Sequence, residues 1–223
     1  MQQLNIFSLP LGPGIGDIDQ VSKALSKIER HQIQFVCWPE FGYQPDVAFA
    51  IAYNGTNILL KYFVEESAIT AIHRATNGPV YKDSCVEFFI AFNNEEEYYN
   101  LEFNCAGSCH IGFGGERENR IEVPVDLVKQ IKYQASFHTG HNSGSDLIKW
   151  ELSLIIPISV FQFHQFTSFE NIWCRINFYK CGDDLPQPHY LSWSKIYSTI
   201  PNFHLPEFFG KALFAEDIKI NQA

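Results

Sequence analysis

The sequence predicts an all-β protein: a two-layer antiparallel β-sandwich, jelly-roll-like, with a short N-terminal helix. Three observations carry that reading. Around ten runs alternate with period two and are punctuated by turn residues. Only one stretch has helical spacing. Phenylalanine (20) and tyrosine (10) are plentiful, and both favour strands. No alternation of strand and helix patterns is present, which argues against a parallel sheet.

The helix comes first. After the Pro/Gly-rich LPLGPGIG, the run DIDQVSKALSKIER places Ile18, Val21, Leu25 and Ile28 on one helical face, with Asp17 as N-cap. The next two runs, VAFAIAY and NILLKYFVEE, flank Asn54-Gly55, a strong hairpin signal. Further strands are expected at 85–92, 97–105, 108–113, 131–138, 148–156, 172–180, 189–194 and 211–214. With no repeat and no linker, the chain divides into an N-terminal extension (1–39), whose helix packs on the sandwich, and one sandwich domain (40–223).

Bulk properties narrow the function. Hydrophobic residues make up 46% and charged residues 18%, enough for a substantial core. A net charge of −9 argues against nucleic acid or an anionic membrane as partner. No apolar run is long enough to span a bilayer. The N-terminus lacks a basic region followed by an apolar one, so the expected location is cytoplasmic, or periplasmic or secreted if a leader has been removed. The six cysteines contain no CxxC and mostly sit in strand-like runs, so they read as reduced structural thiols.

Three strands carry polarity where a purely structural strand would not need it. In VYKDSCVEFFIAF, Val86, Phe88, Ile90 and Phe92 form a core face, and Cys85, Glu87, Phe89 and Ala91 oppose them. In EYYNLEFNC, Tyr98, Asn100, Glu102 and Asn104 oppose an apolar set. In IWCRINFYK, Trp173, Arg175, Asn177 and Tyr179 do the same. Amides, carboxylates and a guanidinium beside flat rings are what a neutral sugar requires. The same pattern also describes an ordinary solvated face, and Glu87 could equally pair with Arg74 or Arg175.

Other motifs carry less. GFGG in SCHIGFGGERENR leads into charged residues, not a helix, so it reads as a hairpin turn rather than a phosphate cradle. No HxxxH or HExxH occurs, and His138 and His141 merely flank a glycine. Asp183 and Asp184 offer at most a structural calcium site, and no cofactor is otherwise expected. Trp38, Trp150, Trp173 and Trp193 read as packing residues. Glu87 and Glu102 could be imagined as a glycosidase pair.

Taken in order, DSCVEFFIAF, YYNLEFNCAG, WELSLIIP, RINFYKC, YLSWS and NFHLPEFFGKALF resemble the family 9 carbohydrate-binding modules, whose fold is a DOMON-like β-sandwich. The resemblance spans about residues 40 to 215. It implies non-catalytic recognition of a mono- or oligosaccharide in a glycan-breakdown context, with a glycoside hydrolase as possible partner. The alternative is a glycoside hydrolase or accessory subunit acting on O-glycosyl bonds. A haem module of this fold would need Met and His ligands, and Met1 is the chain's sole methionine. The family clamps a sugar between two aromatics at the end of the sandwich, usually tryptophans; here Tyr81 and Phe203 stand at those positions. The resemblance further points to Glu87, Asn100, Glu102 and Asn177, and alternation adds Asn104 and Arg175 on the same faces.

Overall fold

A computed structural model describes residues 2–9, 17–139 and 147–216. His141 lies outside them. The strands are β1 (Gln3–Phe7), β2 (His31–Gln32), β3 (Phe35–Val36), β4 (Asp46–Asn54), β5 (Asn57–Glu66), β6 (Cys85–Phe92), β7 (Tyr98–Asn104), β8 (Cys109–Gly114), β9 (Ile121–Glu122), β10 (Lys132–Thr139), β11 (Ile148–Pro157), β12 (Trp173–Cys181), β13 (Tyr190–Ser192) and β14 (Gly210–Ala215). Two helices are described, α1 (Ile18–Leu25) and the single turn α2 (Val125–Val128).

The strands form two sheets. The large one has the order β1-β14-β12-β6-β7-β8-β9, with β13 also on β12 and β3 on β13. The small one has the order β10-β11-β5-β4-β2. Pairing is antiparallel except at one edge, where β1 runs parallel to β14 with Gln3 opposite Lys211. The expected two-layer antiparallel sandwich with a short N-terminal helix is the fold observed, with this one parallel pair added at its edge. Of the described residues before 40, β1 and β3 add strands to the large sheet and β2 adds one to the small sheet. These strands are short, and β1 buries fully only Ile6, too little alternation to read in sequence.

Helix α1 does pack on the outside. Asp17 accepts the Asp19 N–H at 2.9 Å as N-cap. Val21 and Leu25 bury against Ala52, Leu59 and Ile155 of the small sheet. Lys61 Nζ reaches Ser22 Oγ (3.0 Å), Ser26 Oγ (2.9 Å) and Glu151 (2.7 Å), tying the helix to the sheet.

Between the sheets the core is aromatic. Phe49 of the small sheet stacks on Phe178 of the large one with centroids 3.6 Å apart, and Phe88 stacks on the same ring. One polar cluster interrupts it. Lys180 Nζ lies 3.0 Å from Glu66 Oε2, an ion pair not aligned as a hydrogen bond, and both side chains are wholly buried. Trp150 Nε1 donates to the other Glu66 oxygen at 2.7 Å, and His189 Nε2 sits 2.8 Å from Lys180. Burial and the Lys180 charge lower the His189 pKa to about 3, so the imidazole is neutral and can accept from the ammonium.

The outer face of the large sheet is the feature that matters for function. Every residue of β6 and β7 is buried, on both faces. Trp38, Val80, Ile196, Phe203 and Phe209, all from connecting segments, close over Phe89, Tyr98 and Tyr179. The face is therefore not a solvated one. Loops roof it.

Removing one partner of the buried Glu66–Lys180 pair should be far worse than removing both, because a lone charge stays desolvated. Lys180→Met is expected to lower stability by about 3–5 kcal/mol, and adding Glu66→Gln should recover most of that. Urea unfolding of the two variants checks it. A single variant as stable as wild type would show that the pair contributes nothing.

Candidate functional site

Beneath the loop roof lies a cavity of about 400 Å³. It sits on the outer face of the large sheet, where β6 begins and β12 finishes, rather than in the sandwich interior. Its floor is Glu87, Asn100 and Glu102. Strand register explains why they meet. β6 and β7 pair with Glu87 directly opposite Glu102, and period two keeps Asn100 on the face of Glu102. Two like-charged side chains opposite each other on one face repel. Here both are also buried, Glu87 at 3% exposure and Glu102 at 6%.

That arrangement raises both carboxyl pKa values. For Glu87 the chief cause is burial, followed by the charge of Glu102; the Cys181 S–H, 3.1 Å from Glu87 Oε1, and Arg117 act in the opposite sense. For Glu102 burial again leads, offset by His110, by the Asn100 amide and by Arg120. Asn100 Nδ2 donates to Glu102 Oε1 at 2.8 Å. Glu102 Oε2 is buried with no hydrogen-bond partner among the described residues. The floor therefore holds a strong acceptor that the protein itself leaves unsatisfied.

Arg120 braces this floor. Its Nε donates to Asn100 Oδ1 at 2.7 Å, and its terminal nitrogens donate to the carbonyls of Tyr98 (2.6 Å), Gly114 (2.9 Å) and Glu116 (2.7 Å). The guanidinium lies 4.2 Å over the Tyr98 ring. Gly112 permits the approach: a Cβ there would sit 2.8 Å from Asn100 Oδ1 and 3.3 Å from Arg120 Nε. The GFGG run thus serves a guanidinium, not a phosphate.

The walls are aromatic and polar. Tyr81, on the 3-10 turn Val80–Lys82, is 39% exposed and lines the cavity. Its carbonyl accepts the Asp183 N–H at 3.2 Å, which locks the turn to the loop after β12. Phe203 also lines the cavity but is mostly buried, stacked on Tyr179 at 4.1 Å with Tyr179 Oη donating to its carbonyl. Asp183, Tyr190, His110, His204 and Arg117 complete the lining. Burial raises the Asp183 pKa to about 6, and burial together with Arg120 lowers His204 to about 3, leaving it neutral beside the Tyr98 hydroxyl.

Of the residues expected from sequence, Tyr81, Glu87, Asn100, Glu102 and Phe203 are gathered here. Asn104, Arg175 and Asn177 are not among the cavity's lining, and each has a structural task. Asn104 bonds Asp83 and the His73 carbonyl, and it accepts the Ala106 and Ser108 N–H groups of the following turn. Arg175 donates to the carbonyls of Pro206 and Glu95. Asn177 accepts from Ser194 N at 2.8 Å and donates to Ser194 O at 3.0 Å, pinning the start of the roof. Glu87 forms no ion pair with Arg74 or Arg175 among the described residues. Of the acidic pair weighed for calcium, Asp183 faces the cavity while Asp184 lies 3.5 Å from Lys82.

The family model described as carbohydrate-binding family 9 matches residues 19–214. No curated protein sequence matches the chain. A crystal structure from Bacteroides uniformis ATCC 8492, described as that of a candidate carbohydrate-binding protein, is similar, with 35% identity, a TM-score of 0.85 and coverage of 95% of this chain and 98% of that one. A family 9 carbohydrate-binding module from Caldicellulosiruptor kristjanssonii, solved with glucose, shares the fold at TM-score 0.58 and 10% identity, covering 95% of each chain. Its cellotriose complex gives TM-score 0.55 and 11% identity, covering 100% of this chain and 97% of that one.

The buried acids dictate a pH dependence. With pKa values raised in the folded state, Glu87, Glu102 and Asp183 bind more protons folded than unfolded. Their contribution therefore disfavours the native state above their folded pKa values and is relieved as pH falls, for Asp183 between about 6 and its ordinary value. Neutral His189 and His204 pull the other way on acidification, so a comparison of variants isolates the acids. Glu87→Gln/Glu102→Gln is expected to raise the urea midpoint at about pH 7.5 and to narrow its advantage by about pH 5. An advantage that is absent, or that grows on acidification, would contradict the raised pKa values.

Proposed function

The chain belongs to carbohydrate-binding family 9, and from that premise we propose that it binds a mono- or oligosaccharide in the cavity over Glu87 and Glu102 without transforming it. The observation that carries this reading is the pair of adjacent buried carboxylates, with Glu102 Oε2 unpartnered, beside the half-open ring of Tyr81. Sugar hydroxyls are donors that satisfy such acceptors, and a tyrosine face takes the C–H side of a pyranose. The relatives solved with glucose and with cellotriose supply the natural probes.

The affinity follows from the parts. An aromatic face contributes about 1 kcal/mol. Hydrogen bonds to charged groups contribute about 1.5–3 kcal/mol each, reduced by ordering costs. The expected range is μM to mM, about −4 to −8 kcal/mol. Tyr81 and Phe203, where the family usually has tryptophan, favour the weak end, and Phe203 offers little free surface.

Hydrolysis fits the geometry poorly. A glycosidase places its two carboxyls on either side of the scissile bond. Glu87 and Glu102 rise side by side from neighbouring strands and would meet a ligand from one side. In our reading the chain holds a glycan for a separate enzyme, and a glycoside hydrolase is the partner such a role requires.

Calorimetry with D-glucose and cellotriose tests this on wild type, Tyr81→Ala and Glu87→Gln. Wild type should bind at least one of them; Tyr81→Ala should bind about tenfold more weakly, and Glu87→Gln should lose at least about tenfold while staying folded. No reducing ends should appear on prolonged incubation with cellotriose. Absence of binding across a broad saccharide panel at millimolar concentration, or binding indifferent to Glu87→Gln, would overturn the site. Release of reducing sugar that disappears in Glu87→Gln would favour the hydrolase reading instead.

A further inference from the structure

The cavity floor holds a second chemistry, built on two thiols that saccharide recognition does not use and on Glu87, which the two chemistries share. Cys85 begins β6 and Cys181 ends β12, and the two are register partners on neighbouring strands. Glu87 lies two residues along β6 from Cys85 and so shares its face. The two Sγ atoms and a Glu87 carboxylate oxygen all lie within 4.8 Å of one another, with Cys181 Sγ only 3.1 Å from Glu87 Oε1. Both cysteines are free thiols. We propose that Cys85, Glu87 and Cys181 form a zinc site with its fourth coordination position open to the cavity.

The geometry needs little adjustment. Around tetrahedral zinc, with Zn–S about 2.3 Å and Zn–O about 2.1 Å, neighbouring ligand atoms stand about 3.4–3.8 Å apart. From the 3.1 Å between Cys181 Sγ and Glu87 Oε1 and the 4.8 Å that bounds the set, adjustments of roughly 0.3–1.4 Å, opening the first pair and closing any wider one, bring the three atoms to that spacing. The ligands rise from two hydrogen-bonded strands, which fix their relative placement more firmly than loops would. Two sulfur ligands select zinc or cadmium over calcium and magnesium. Cys181 and Glu87 line the cavity, so an ion can reach them, and Asp183 and Arg117 line the same space on the open side. Each thiol gives up its proton to solvent when the metal binds, leaving two thiolates and a carboxylate on the ion. Linear spacing conceals the set, because Cys-x-Glu on one strand and a cysteine ninety-odd residues later match no compact motif. The proposal does not rest on what saccharide the cavity takes.

Cadmium titration of the reduced, chelator-treated full chain tests it, read by the ultraviolet thiolate-to-cadmium charge-transfer band and by competition with zinc. A band saturating at a single equivalent, with the intensity of two thiolates and displaced by zinc, is expected. Cys85→Ser and Cys181→Ser should each lose it or halve it with at least about tenfold weaker binding. Glu87→Gln should keep both thiolates and weaken binding about tenfold or more. Cys109→Ser, in the separate core cluster between the sheets, should change nothing and controls for nonspecific thiol binding. Absence of the band in wild type, or a band unchanged in Cys85→Ser and Cys181→Ser proteins that retain the native circular dichroism spectrum, would overturn the site.

Discussion

The register between β6 and β7 is the constraint on which the rest depends. It sets Glu87 against Glu102, and the loop roof keeps water from relieving their repulsion. A fold under selection for stability alone would place apolar residues there. This one retains two acids and surrounds them with partial remedies: the Asn100 amide, the Cys181 thiol, Arg120 through Asn100, and Arg117 and His110 nearby. None supplies a partner for Glu102 Oε2. Local instability of this kind accumulates where a ligand completes the arrangement.

The surrounding structure makes that arrangement rigid. β12 works on both of its faces. Inward, Phe178 stacks between the sheets and Lys180 meets Glu66. Outward, Arg175 and Asn177 hold the segments that form the roof. Tyr179 carries Phe203. At the other side of the floor, Gly112 leaves room for Arg120 to clasp both Asn100 and the loop that follows β8. The cavity floor is thus bounded by side chains held by neighbours, a condition that lowers the ordering cost of binding.

Much of this was legible in the sequence, and the reason is the period of two. Alternation placed Glu87, Asn100 and Glu102 on one face because strand geometry leaves no other choice. The same logic could not separate that trio from Asn104, Arg175 and Asn177, which share the face but serve turns and the roof. Which polar residue meets a ligand and which meets a backbone depends on loops that have no periodicity. Arg117, Arg120 and His204 carry no sequence signal for that reason, beyond the guanidinium that follows GFGG, and Asp183 reads in sequence as a calcium-loop acid rather than a cavity residue. The strands β1, β2, β3 and β9 escaped because two to five residues carry too little pattern. The resemblance to the family supplied Tyr81 and Phe203, which alternation alone would not have found.

In the proposed mode of binding, a saccharide donates hydrogen bonds to the ionised forms of Glu87 and Glu102. Donors to a carboxylate favour its charged form, so binding lowers the raised carboxyl pKa values and is linked to proton release. Calorimetry of glucose or cellotriose binding at about pH 6, repeated in buffers of different ionisation enthalpy, counts those protons. Net release on binding, abolished in Glu87→Gln/Glu102→Gln, is the expected result. Net uptake, or no proton exchange in a wild-type protein that binds the sugar, would contradict it.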